Sequence, residues 1–205
     1  MCKNSNEVVS VVPRDPDILI LAAGNSSRYE RPKQLAVFDG EPLIRRALRN
    51  ALAVGPRTVH VVLGAHREKI EPVIDHEPVE IVVAKNWREG LSASLRAGLG
   101  ILPEESPGVL VMLADQVQVT STSLRKLLRA WRIDREAIVA SSYGGTIGVP
   151  AIFPSRVYAE LLLLEGKHGA KSLIRCDSRV VTVPMPEAAA DIDYPRDLPP
   201  LAGRP

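Results

Sequence analysis

The run ILILA at residues 18–22, continuing into AGNSSRYERPKQL at residues 23–35, decides how the rest of the chain is read. Five consecutive apolar residues without polar alternation suit a strand covered on both faces, as inside a parallel sheet. The run ends in small residues, Ala23 to Ser27, and then reaches the cations Arg28 and Lys33. A strand that delivers such a loop matters because ligands of open α/β sheets bind outside the carboxyl ends of the strands.

Working outward, short apolar runs at 58–63, 79–84, 109–113, 137–141, 149–153 and 180–183 read as further strands. Between them lie segments of helical period at 42–54, 92–102, 124–131 and 156–164, with a weaker one at 67–74 that Pro72 interrupts. In residues 42–54 the apolar positions Leu43, Ile44, Ala47, Leu48, Ala51 and Leu52 share one face, with Pro42 suited to a first turn and Gly55 to the end. Alternation of this kind predicts an α/β fold: one Rossmann-like domain of three layers, α/β/α, around a mainly parallel mixed sheet. Residues 18–205 form that domain and residues 1–17 a leader, whose valine-rich piece at 8–12 reads either as an added edge strand or as a loose extension.

The composition narrows the function classes. A chain of 205 residues suits a single core. A formal net charge of +2, with Lys and Arg scattered, argues against a nucleic-acid surface, so any phosphate recognised belongs to a small ligand. No apolar run reaches the length of a membrane-spanning helix. The two cysteines, Cys2 and Cys176, form no CxxC pair and indicate neither a disulfide framework nor a zinc site. With no secretory signal at the N-terminus, the expected location is the cytoplasm.

Three segments carry chemistry. In the first loop, small residues allow main-chain N–H groups to approach a polyphosphate, and a concave set of such donors favours an anion. Arg28 adds a planar guanidinium that grips phosphate oxygens in pairs, and Lys33 adds an ammonium able to follow charge toward a leaving pyrophosphate. A solvated turn is the other reading, and the glycines of GxxxxGK(S/T) and GxGxxG are absent. In the second segment, GLSASL at 90–95, Ser92 and Ser94 suit either a helix cap or a ligand. The third comprises Asp115, directly after an apolar strand, with Asp191 and Asp193 in the late string DIDYPRDL; each reads as a cap or as a ligand for magnesium, which favours carboxylate oxygens together with phosphate and water.

The string LAAGNSSRYERPKQL resembles the signature LAAGxSxRxGxxK of the MobA-like nucleotidyltransferases, which include the molybdenum cofactor cytidylyltransferases and guanylyltransferases. The match covers Leu21, Ala22, Ala23, Gly24, Ser26, Arg28 and Lys33, while Glu30 stands where the family usually has glycine. GLSASLRAGL is similar to the family's GLSxSLxxGL, which lies against the nucleoside and implies contacts from Gly90, Ser92 and Ser94. LADQ and DIDYPRDL resemble its paired metal motifs and imply Mg2+ on Asp115 and Asp193, ahead of Asp191, with Asp197 bracing the last turn.

YGGTIGVPAIF and GKHGAK resemble the family's acceptor segments and imply acceptor contacts from Tyr143, Gly148, His168 and Lys171, although Lys167 replaces the usual acid. By the same resemblance the fold is of the nucleotide-diphospho-sugar transferase type, with Arg28, Lys33 and Asp115 as the catalytic set. The implied reaction transfers a nucleoside monophosphate from a nucleoside triphosphate to a phosphorylated acceptor and releases pyrophosphate. Ala23 favours CTP, because family members that use GTP tend to have glycine there. Molybdopterin is the implied acceptor and a molybdoenzyme under maturation the implied partner. A sugar- or alditol-phosphate acceptor, or nucleotide binding without catalysis, are the alternatives.

Overall fold

The computed structural model describes residues 15–29, 31–166 and 169–198, and the valine-rich piece at 8–12 lies outside them. In chain order the elements are β1 (Asp17–Leu21), β2 (Val37–Phe38), β3 (Glu41–Pro42), α1 (Leu43–Leu52), β4 (Val59–Leu63), α2 (Arg67–Ile74), β5 (Glu80–Val83) and α3 (Leu91–Leu99). Then follow β6 (Gly108–Leu113), α4 (Ser121–Ile133), β7 (Ile138–Tyr143), β8 (Thr146–Pro154), α5 (Tyr158–Leu162), α6 (Lys171–Cys176) and β9 (Val180–Pro184).

The seven-stranded sheet has the order β5-β4-β1-β6-β8-β7-β9. Its ladders are parallel except where β8 meets β6 and β7, which makes the sheet mixed but mostly parallel, as expected. The apolar run of β1 explains the three layers: Ile18 and Ile20 face a core shared with α1, α2 and α4, and Leu19 and Leu21 face one shared with α3, α5 and α6. Every residue of β1 is buried, so a strand without polar alternation is the only kind that fits between two helical layers. The chain turns from β1 toward β4 on one side and returns to β6 on the other, and the switch falls at the carboxyl ends of β1 and β6.

The weaker helix at 67–74 matches the expectation, and three other elements depart from it. The helix at 67–74 forms in full despite Pro72, because Ile70 and Ile74 are both fully buried. Helix α4 begins three residues before the expected 124, where Thr120 caps it by accepting from Ser123 N at 3.4 Å. The expected strand at 149–153 extends back to Thr146 through a tight hairpin, with Gly144 and Gly145 both at positive φ. The expected helix at 156–164 resolves into a single 3-10 turn, Ser155–Val157, followed by α5. No described helix is long and apolar enough to cross a membrane.

Candidate functional site

A cleft of about 590 Å³ opens at the carboxyl ends of β1 and β6, a volume in the range of small-molecule sites. One wall is the loop after β1, where Ala22, Ala23, Gly24 and Asn25 line the cleft. The carbonyls of this loop are tied into the protein: Ala22 O and Gly24 O accept from Gln34 Nε2 at 2.9 and 3.1 Å, and Ala23 O accepts from Ala65 N at 3.0 Å. Asn25 O lies 3.0 Å from His66 Nε2. Ser26, at φ +55, turns its hydroxyl back to accept from Lys33 N at 3.1 Å, and so joins the two ends of the loop.

Lys33 and Arg28 meet the acids from two distant parts of the chain. Lys33 Nζ pairs with Asp115 and lies 3.3 Å from Asp193 Oδ1, while Arg28 Nη1 lies 2.6 Å from Asp193 Oδ2. Asp115 is delivered by the end of β6, and a bridge between Gln116 and Asp191, with Ile192 N donating to Asp115 O at 3.1 Å, brings the late segment beside it. Burial works against the charged form of Lys33, but Asp115 and Asp193 outweigh it and hold the ammonium above its ordinary pKa. Burial, reinforced by Asp115, raises the pKa of Asp191. Asp197 accepts from the N–H groups of Asp193 and Tyr194 at 2.9 and 2.7 Å and braces the turn that presents Asp193.

Opposite the loop, the segment before α3 forms the second wall. Gly90 adopts φ +113 and ψ −168, a region that only glycine occupies readily, and it lines the cleft with Ser94. The capping reading of the two serines does not hold: no side chain caps α3, and Ser92 is fully buried behind the wall with its hydroxyl unpartnered among the described residues. Trp87 and Arg88 complete this wall, stacked with the guanidinium carbon 4.4 Å from the indole centroid. Gly64 makes room for them, since a Cβ there would lie 2.7 Å from Trp87 Cβ and 2.8 Å from Ala23 O.

A second cleft of about 270 Å³ shares Leu91 and Leu113 with the first. Tyr143, Gly148 and Lys171 line it, so three of the four expected acceptor residues gather in one place. Tyr143 donates its hydroxyl to Val149 O at 3.1 Å, and burial raises its pKa. Glu30, Lys167 and His168 lie outside the described residues.

The sequence reading therefore named Arg28, Lys33, Ser94 and Asp115 among the polar lining but missed Asn25, Gln34, Trp87 and Arg88. Trp87 carried a usable signal, a lone aromatic three residues before Gly90 in an otherwise polar stretch. Gln34 carried none, because its role depends on a loop closing over it.

Seven strands with one antiparallel member, a cationic loop after the first strand and two remote acids on that loop define a nucleotide-handling α/β domain. The chain belongs to the MobA-like NTP transferase family, whose domain matches residues 18–183. Among curated proteins it is 33% identical over 125 residues to nicotine blue oxidoreductase of Paenarthrobacter nicotinovorans, covering 60% of this chain and 61% of that protein. It is 32% identical over 111 residues to the bifunctional protein GlmU of Mycobacterium sp. strain KMS, covering 50% of this chain and 22% of that one. The match thus spans less than two thirds of either relative.

Among solved structures it is similar to Rv0371c of Mycobacterium tuberculosis H37Rv, at 26% identity and a TM-score of 0.77, covering 89% of this chain and 95% of the other. A manganese complex of Rv0371c matches at 25% identity and a TM-score of 0.73, covering 88% and 94%.

Proposed function

We propose that this protein is a metal-dependent nucleotidyltransferase that moves a nucleoside monophosphate, CMP by preference, from a nucleoside triphosphate to a phosphorylated acceptor of the molybdopterin kind, with release of pyrophosphate. The observation that carries the reading is the meeting of Arg28, Lys33, Asp115 and Asp193 at the mouth of a nucleotide-sized cleft. Two features fit a divalent ion on Asp115 and Asp193. Both carboxylates already hold a cation, the Lys33 ammonium, and Asp115 Oδ1 is buried without a hydrogen-bond partner among the described residues. Carboxylate oxygens are the donors magnesium and manganese favour, and the similarity to Rv0371c, solved in complex with manganese, supports a divalent ion. No group of three or more His, Cys, Asp or Glu able to hold a metal occurs among the described residues, so phosphate oxygens and water would complete the shell. A bound Mg2+ ion supplies neutralisation of phosphate charge.

In the reaction an oxygen of the acceptor phosphate forms a bond to the α-phosphorus. The bond from that phosphorus to the β-phosphate oxygen breaks, and its electron pair leaves with pyrophosphate. No side-chain nucleophile or proton transfer is required, since both phosphates are already ionised. The work of the protein is positioning and charge neutralisation. Arg28 and Lys33 face the β- and γ-phosphates and stabilise the leaving group, Gly90 and Ser94 bound the nucleoside, and Tyr143 and Lys171 hold the acceptor in the adjoining cleft.

A second reading follows from the departures from the family pattern at Glu30 and Lys167: the same cleft binds a nucleotide without catalysing transfer. A pyrophosphate-release assay crossing CTP, GTP, ATP and UTP with molybdopterin and sugar phosphates decides between them. Release with CTP and molybdopterin is expected, and saturable nucleotide binding with no release from any pairing would favour the second reading.

A further inference from the structure

Gln34 is only 3% exposed, although its side chain is an amide and the transfer step assigns it no task. Its Nε2 donates to Ala22 O and Gly24 O at 2.9 and 3.1 Å, and its Oε1 accepts from Ser26 Oγ at 3.3 Å. All three partners lie in the loop after β1. An amide suits this place because it offers two donor hydrogens and an acceptor on one flat group; glutamate lacks the donors and lysine the acceptor.

In a planar trans peptide the C=O and the N–H of the next residue point in opposite directions. Holding Ala22 O and Gly24 O on Gln34 therefore aims the N–H groups of Ala23 and Asn25 away from it. Both residues line the cleft, and neither N–H donates to another backbone carbonyl among the described residues. Ala65 N–H meanwhile holds Ala23 O, so none of these carbonyls is left to face an incoming anion.

We infer that Gln34 is a positioning residue that turns two loop carbonyls out of the cleft and so presents the N–H groups of Ala23 and Asn25 to the pyrophosphate portion of a bound triphosphate. The inference rests on the nucleotide reading of the cleft. It makes Gln34, rather than the small size of the loop residues alone, the reason this loop accepts an anion.

The test follows backbone amide signals of the full chain by NMR during titration with pyrophosphate in excess magnesium, for wild type, Gln34→Glu and Gln34→Leu. In wild type the Ala23 and Asn25 signals should shift and saturate. In both variants half-saturation should need about tenfold more pyrophosphate, the loss expected for hydrogen bonds to a charged group. Signals of core residues such as Leu19 and Val111 should stay in place. Wild-type affinity in both variants overturns the inference, as does a wild-type titration that moves Lys33 while Ala23 and Asn25 remain still; either leaves the nucleotide reading standing. Loss of the core pattern in both variants would make Gln34 a folding residue and also overturn it. A wild-type protein with no saturable response overturns the inference and the nucleotide reading together.

Discussion

Lys33 is 18% exposed and lies between two carboxylates, so in the free protein its charge is already satisfied. Under the proposed function a triphosphate would offer the ammonium other oxygens, and the same exchange would free Asp115 and Asp193 for a divalent ion. Removing the cation should therefore damage chemistry more than folding. Lys33→Ala is expected to slow pyrophosphate release by about 10²–10³, the usual cost of deleting a preorganised charge-stabilising group; a near-normal rate would remove the leaving-group role. Asp115→Ala is expected to abolish release while thermal unfolding stays cooperative, and unchanged turnover would refute its assignment to the metal. Arg28, 60% exposed at the rim, forms a surface pair of little value to stability, and its worth lies in what it meets in the cleft.

Among the elements, those buried on two sides were the most legible in the sequence. The ILIL run of β1 and the VHVVL run of β4 announce strands because both faces meet helices, and one-sided elements such as α1 show their stripe. Elements held by tertiary contacts were harder. Proline removes one hydrogen bond from α2, yet Ile70 and Ile74 anchor the helix to the core. The two-residue strands β2 and β3 are too short for periodicity, although Asp39 and Gly40, both at positive φ, gave a hairpin signal.

The site was legible as separate strings, through resemblance, but the layering of its wall was not: Ser92 and Ser94 look alike in sequence, and only one reaches the cleft. The turn that presents Ser94 depends on Gly90. Gly90→Ala is expected to destabilise the fold by about 1–3 kcal/mol through backbone strain, measured by denaturant unfolding. A neutral effect would mean that this turn relaxes without its glycine.

At the scale of the whole molecule, the two ends of the sheet have different characters. The carboxyl ends carry the cleft, and the amino ends bury a polar group of Asp17, His60 and Ser106, with Ser106 Oγ donating to Asp17 Oδ2 at 2.6 Å. His60 faces Asp17 at 3.9 Å and Glu80 at 3.2 Å, without hydrogen-bond alignment to either. Burial lowers its pKa below 6.5 against the opposing pull of Glu80 and Asp17, so the folded protein holds it neutral. As pH falls through 6.5 the unfolded chain takes up a proton that the native state refuses, and stability declines until the depressed native value is passed. Denaturant midpoints should thus fall between neutral pH and about pH 5, and His60→Gln should flatten the decline; an equal slope in the variant would exclude His60 as its source.

The return of the late segment to the first loop also governs when the molecule becomes competent. Lys33 and Asp193 are 160 residues apart, and the last strand closes at Pro184. Synthesis must therefore run past the end of the sheet before the second of the paired acids exists. A chain cut just after Pro184 would lose Met185 and Ala188 from the core together with that acid, so structural integrity and competence would be forfeited at once.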